Sequence, residues 1–206
     1  MHKTKVWLNV CAVKPAQQKP PSWDQIYEIA AAQEGLVTTR QAAAIGYSPQ
    51  LLVHHVHAGR LERVRRGIYR LVHFPPGEHE DLVVVWLWSE QAGVFSHQTA
   101  LSLHGLSDVL PSRVHLTLPD DWQKRRFRVP KGVVLHYADI SRSDRSWFGA
   151  VPVTSVRVSL NDCARAHLSP ELLRQGALEA LQRGLVARKD IPEVMKALKP
   201  FGGLAA

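Results

Sequence analysis

Cysteine is scarce: Cys11 and Cys163 are the two in 206 residues. A single pair cannot make a disulfide framework, so the sequence points to a reducing compartment, the cytoplasm, and away from a small secreted scaffold. Long apolar runs are missing as well. The longest, Leu82 to Trp88, is far short of the roughly 20 residues that cross a bilayer. Leu8 to Val13, behind Lys3 and Lys5, is too short and too polar-flanked for a signal peptide. No membrane partner is expected. Gly and Pro, thirteen of each, are at ordinary levels, which excludes collagen-like and low-complexity chains. Acid is in deficit, with 18 Asp and Glu against 26 Lys and Arg and a formal net charge of +8. The balance points to a polyanion such as nucleic acid, or to an acidic protein partner. At 45% hydrophobic residues there is enough material to bury a core, in one domain or two modest ones.

Residues 1–21 hold four lysines, no acid and Pro15, Pro20 and Pro21 near the end, and read as a loosely ordered leader. From Trp23 the pattern is helical, with Ile26, Ile29, Ala30 and Gln33 on one face and Gly35 as terminator. Thr39 is expected to cap a second helix, Arg40 to Ile45, stopped by Gly46. Ser48-Pro49 starts a third that runs to Ala58. Leu61 to Val72 reads as two short strands folding back at Arg66-Gly67. Three helices, a tight Gly-containing turn and a hairpin describe a winged helix-turn-helix over residues 22–74. Leu52 and Val56 can bury against Ile26, Ile29 and Ile45, which leaves Gln50, His54 and His57 pointing elsewhere. Phe74-Pro75-Pro76-Gly77 breaks regular structure and is the expected boundary. The break should leave the two units semi-independent.

Residues 78–206 mix both periods, so the expected fold class is α+β, a winged helix-turn-helix followed by a mixed α/β domain. Glu78 to Gln91 carries strand and helix signals at once. Its length, acidic first turn and terminal Gly93 favour a helix. Val83, Val85, Trp86, Leu87 and Trp88 are too many for one helix face to hide, so part of that surface is expected to be an interface, with a centrally buried helix as the alternative. Ser96 is expected to cap a helix to Leu103. Val114 to Leu118 and Val133 to Tyr137 alternate like strands. Val156 to His167, Glu171 to Arg183 and a short segment after Asp190 read as helices.

A helix in the major groove presents short polar or cationic side chains near its N-terminus. Ser48, Gln50 and His54 stand where such contacts are made, with Arg40 on the preceding helix, and Gln suits adenine. The hairpin supplies Arg60, Arg63, Arg65, Arg66 and Arg70 against one acid, Glu62, a density that suits phosphate or a narrow minor groove. A charged hairpin can also be a solvated edge strand guarded against aggregation. Its coincidence with a helix-turn-helix pattern favours DNA. One recognition helix covers little DNA, so two copies assembled on an inverted repeat are expected, with half-sites about 34 Å or a multiple apart. His54-His55-x-His57 does not put three imidazoles on one side of a helix, so no metal is expected there.

Gly59-x-Leu61-x-Arg63-Val64-x-Arg66-Gly67-x-Tyr69, after a short helix-turn-helix, resembles the N-terminal winged helix of AbiEi-type antitoxins. Phe95-Ser96-His97-Gln98-Thr99-Ala100-Leu101-x-Leu103-His104-Gly105-Leu106 is similar to that family's next helix, and Pro111-x-x-Val114-x-Leu116-x-Leu118-Pro119 to the strand after it. Val153-Thr154-Ser155 with Ser159-Leu160-x-Asp162 resembles a further family region, although Val158 and Ser159 stand where Arg and Thr are usual. The resemblance spans about residues 22–185. It implies a type IV toxin–antitoxin antitoxin: the winged helix binds operator DNA and represses its own operon, and the C-terminal domain antagonises a nucleotidyltransferase-like toxin. Relatives often append a nuclease-like domain, for which this chain ends too soon.

No enzyme and no cofactor are expected. Asp120-Asp121 with Lys124 lacks the further acid-x-Lys strand of a metal-dependent nuclease and reads as a turn. No Gly-rich phosphate loop or nucleophile elbow is present. His97, His104 and Asp162 are expected in one polar network within the domain. Lys124, Arg125, Arg126 and Arg128, with Lys131 and interleaved Trp122 and Phe127, form a second basic cluster for toxin or DNA, or a solvated connection. An orphan winged-helix regulator, a DNA-processing enzyme and a protein-interaction adaptor are the alternative functions.

Overall fold

The computed structural model describes residues 21–204, so Cys11 and nearly all of the predicted leader lie outside the described residues. The chain opens with α1 (Trp23–Ala31), β1 (Leu36–Thr38), α2 (Thr39–Ala44), α3 (Pro49–His57), β2 (Leu61–Arg65) and β3 (Ile68–Leu71). The strands form an antiparallel sheet in the order β1-β3-β2. This is the winged helix-turn-helix read from the sequence, with β1 as an addition that three residues were too few to announce.

Alternation along these strands gives the sheet two apolar faces. Val37, Leu61, Tyr69 and Leu71 pack with Ile26, Ala30 and Leu52 into the core of the three helices. Leu36 and Ile68 point the other way. The cap of α2 differs from expectation by one residue. Thr38 accepts from the Gln41 amide in a full capping box, while Thr39 donates its backbone N–H to the Gly67 carbonyl at 2.9 Å and so ties α2 to the hairpin turn. Ser48 caps α3 as read, with Pro49 behind it. Gly35 turns the chain into β1 at φ +83°, where an added Cβ would strike Phe74 at 2.7 Å.

The second part comprises α4 (Glu80–Trp88), β4 (Val94–Phe95), α5 (His97–Leu103), β5 (Val114–Leu118), β6 (Val133–Tyr137), β7 (Arg145–Phe148), β8 (Val151–Thr154), α6 (Val156–Arg165), α7 (Pro170–Gln182) and α8 (Pro192–Leu198). Its sheet runs β6-β5-β4-β8-β7. β5 and β6 are parallel neighbours in full register, Val114 opposite Val133 through Leu118 opposite Tyr137. Leu116 and Leu118 face α4. Their alternates His115 and Thr117 face the side carrying α5, whose Thr99 hydroxyl accepts from the His115 amide at 2.9 Å. Behind α5, helices α6 to α8 close a separate core around Leu160, Leu173, Ala177 and Val194.

The break at Pro75–Gly77 does not separate two loosely joined bodies, and here semi-independence is corrected. Leu82, Val83, Trp86 and Leu87 of α4 share one core with Leu36 and Ile68 on one side and Phe95, Leu116, Leu118 and Val153 on the other. A helix filling the gap between two sheets must be apolar all round, which explains why Val83 to Trp88 has no polar stripe. Polar groups add to the joint. Gln33, only 5% exposed, exchanges amide bonds with Gln41 and accepts from Gln91 at 2.9 Å. Arg70 donates to Glu80 at 3.1 Å and to the Phe74 carbonyl at 3.0 Å, so it is not a free wing arginine. Glu80→Gln should therefore destabilise the folded chain by about 1–3 kcal/mol by leaving a largely buried guanidinium short of its counter-charge. Urea denaturation checks this.

Candidate nucleic-acid interface

In α3 the three-and-four spacing resolves into two faces. Leu52 and His55 are buried, while Gln50, Val53, His54 and His57 form an exposed stripe. His55 packs between Trp23 (ring centroids 5.0 Å apart) and Tyr47 (5.7 Å), and its burial, with Arg60 and His54 nearby, lowers its pKa. The three neighbouring histidines are thus one core residue and two surface residues. Ser48 and Gln50 lie at the exposed N-terminal end of the helix, where free N–H groups and the helix dipole favour an anion.

The arginines of the hairpin do not form one cluster. Arg63 pairs with Tyr69 and Arg65 with Ile68, with a bulge between them. Two residues apart on a regular strand would share a face. Here the extra residue, Val64, turns Arg63 towards the helices and Arg65 to the opposite face. Val64 is itself 42% exposed, and Arg66 is exposed at the turn. Arg60 stands apart, its guanidinium over the Trp23 ring at 5.7 Å. Arg40 is exposed on α2 and meets Glu90 at 3.5 Å, a surface pair worth little in itself.

Lys124, Arg125, Arg126 and Arg128 are all exposed, on the short 3-10 turn 120–124 and the loop after it. Arg125 lies 3.9 Å over the Trp122 ring, and Phe127 packs edge-on against Trp88 at 5.5 Å. Aromatic anchors therefore hold a basic loop against the end of α4, beside Glu90. The loop adjoins the residue that Arg40 reaches, so the second cluster neighbours α2 and not the far end of the molecule. Asp120 and Asp121 are exposed in the same turn, and the Asp120 carboxylate accepts from Gln123.

The network expected of His97, His104 and Asp162 is not formed. The His104 ring nitrogen Nε2 lies 2.8 Å from the Thr154 carbonyl, and Asp162 accepts from Arg165 at 3.0 Å. Burial lowers the His104 pKa, partly opposed by the Thr154 contact. Burial raises that of Asp162 against the pull of Arg165, and it pushes the Cys163 thiol up to about 12. That cysteine is unreactive.

His97 instead meets His115 and His136, which the sequence reading passed over. His97 and His136 stack at 3.6 Å, and His115 Nδ1 lies 3.0 Å from His136 Nε2. Ser96 occupies the position before α5 but does not cap it. Its hydroxyl accepts from Thr117 at 2.7 Å and lies 2.9 Å from His97 Nδ1. His97 enters the helix at φ +53°, a left-handed conformation costing an L-residue roughly 1–2 kcal/mol. Burial, then His136, His115 and Arg165, push its pKa down to about 3. Burial, then His115, take His136 to about 4. Both rings are neutral at pH 7.

Fold and surface together define a winged-helix protein with an α+β partner unit. Residues 24–72 match the sequence profile of a family described as AbiEi antitoxin transcriptional regulators, in agreement with the resemblance read from the motifs. No curated protein matches the chain. Among solved structures it is similar to the RV2827C protein of Mycobacterium tuberculosis, at 16% identity over 88% of this chain and 80% of that one, with a TM-score of 0.41. No helix among the described residues is long and apolar enough to cross a membrane.

Proposed function

We propose that the chain is a DNA-binding regulator of the antitoxin type that represses its own operon and antagonises a nucleotidyltransferase-like toxin. The observation that carries the DNA reading is the exposed stripe Gln50–Val53–His54–His57 on a capped third helix, inside the segment that matches the regulator family. Gln50 and His54 read base edges, Val53 offers an apolar contact to a thymine methyl, and Ser48 with the helix N-terminus holds a phosphate. Arg63 and Arg66 supply the wing, and two copies occupy an inverted repeat. Arg40 and the loop of Lys124, Arg125, Arg126 and Arg128 extend the basic surface, since both adjoin Glu90. Residues 22–74 carry DNA binding and residues 78–206 act on the toxin. This reading assigns no catalytic role to His104 and Asp162, which bond to the Thr154 carbonyl and to Arg165, or to exposed Asp120.

Gln50→Ala should relax preference at one base position, at about 1–3 kcal/mol, and leave binding to unrelated duplex unchanged. Fluorescence anisotropy against duplexes substituted base by base reads this directly. Equal loss on every sequence would place Gln50 on phosphate, and no loss anywhere would remove α3 from the interface.

A further inference from the structure

Three imidazoles converge on one face of the second sheet. His115 and His136 come from β5 and β6, whose parallel register puts Thr117 opposite His136. His115 and His136 are therefore diagonal neighbours, and His97 reaches them from the start of α5. One ring nitrogen from each lies within 4.8 Å of the others. We infer that His97, His115 and His136 form a binding site for one imidazole-preferring divalent ion, Zn²⁺ being the natural occupant, which clasps α5 to strands β5 and β6.

The donor chemistry fits. Three imidazoles plus one open position is an established coordination set for zinc, and Zn–N bonds of about 2.0–2.1 Å put tetrahedral donors roughly 3.3 Å apart. His115 Nδ1 and His136 Nε2 are already at 3.0 Å. The remaining closure is at most about 1.5 Å, and the rings, stacked within 25° of parallel, must tilt by side-chain rotation to aim their lone pairs at one point. A hydroxyl partner orients the third ring: Ser96 lies against His97 Nδ1 and is itself held by Thr117, which turns Nε2 to the ion as outer-shell partners of metal-bound histidines do. The nearest cation on α6, Arg165, is engaged by Asp162 and Glu193, which reduces its repulsion of a metal.

The test uses the full-length chain stripped with chelator and titrated with Zn²⁺ by calorimetry and with Co²⁺ by absorption. One ion per chain should bind, with a tetrahedral Co²⁺ spectrum and a raised melting temperature. His136→Ala and His115→Gln should each weaken binding at least 100-fold. Ser96→Ala should weaken it about 10-fold without changing stoichiometry, and His57→Gln should change nothing. If both histidine variants fail to fold, side-chain NMR of the unmodified protein decides, because Zn²⁺ should then shift the His97, His115 and His136 resonances and leave His54 and His57 in place. Absence of Zn²⁺ and Co²⁺ binding overturns the inference. So does full-affinity binding in both folded variants, or a shift confined to surface histidines.

Discussion

Trp86→Ala should lower stability by about 3–5 kcal/mol, the range for emptying a large aromatic site in a core, and depress the melting temperature by several degrees per unit of that loss. Trp86 is 7% exposed and sits where the first sheet's Leu36 and Ile68 meet the second sheet's Leu116 and Val153. The loss should therefore appear in one cooperative transition, because both sheets bury these apolar side chains in one shared cluster. Trp86→Phe should cost far less. The indole Nε1 is buried with no partner among the described residues, and removing an unsatisfied donor offsets much of the lost volume. Scanning calorimetry checks both variants. Two separate transitions in the wild-type protein would show that α4 does not unite the sheets.

Replacing Arg63 and Arg66 together by Gln should weaken binding to every duplex and flatten its salt dependence. Each phosphate contact contributes about 0.9 to the slope of log K against log salt, so the double variant should lose roughly 1.8. Preference among sequences should survive, since neither guanidinium is assigned to a base. Arg65→Gln should do less, because the bulge after Arg63 turns Arg65 to the opposite face of the hairpin. An Arg65 effect as large as that of Arg63 would mean that the wing approaches DNA by its other side.

The winged helix was legible because its signals are local. Ser48-Pro49 fixed the start of α3, and the spacing of Leu52 and Val56 fixed which face is buried. The hairpin followed from Arg66-Gly67. What escaped was set by pairing across distance. Arg63 and Arg65 looked alike until the bulge assigned them to opposite faces, and Arg70 looked like a DNA contact until Glu80, ten residues on, claimed it. β1, β4, β7 and β8, at two to four residues each, have too little chain for alternation to show. The histidine cluster was hidden for the same reason. His115 and His136 sit in strands whose alternation was read correctly, but their adjacency depends on the parallel register of β5 and β6, which no local signal carries. His97 attracted notice through its motif and was grouped with His104 and Asp162, which bond instead to the Thr154 carbonyl and to Arg165.

The central claim, that the third helix reads DNA sequence, is tested most directly by titrating the full-length chain against the DNA upstream of its own gene and against a scrambled duplex at several salt concentrations. Both lines of log K against log salt should fall steeply and nearly in parallel, with the upstream DNA bound at least about 10³-fold more tightly throughout. Lines that coincide, or no binding to either duplex at low salt, would contradict it.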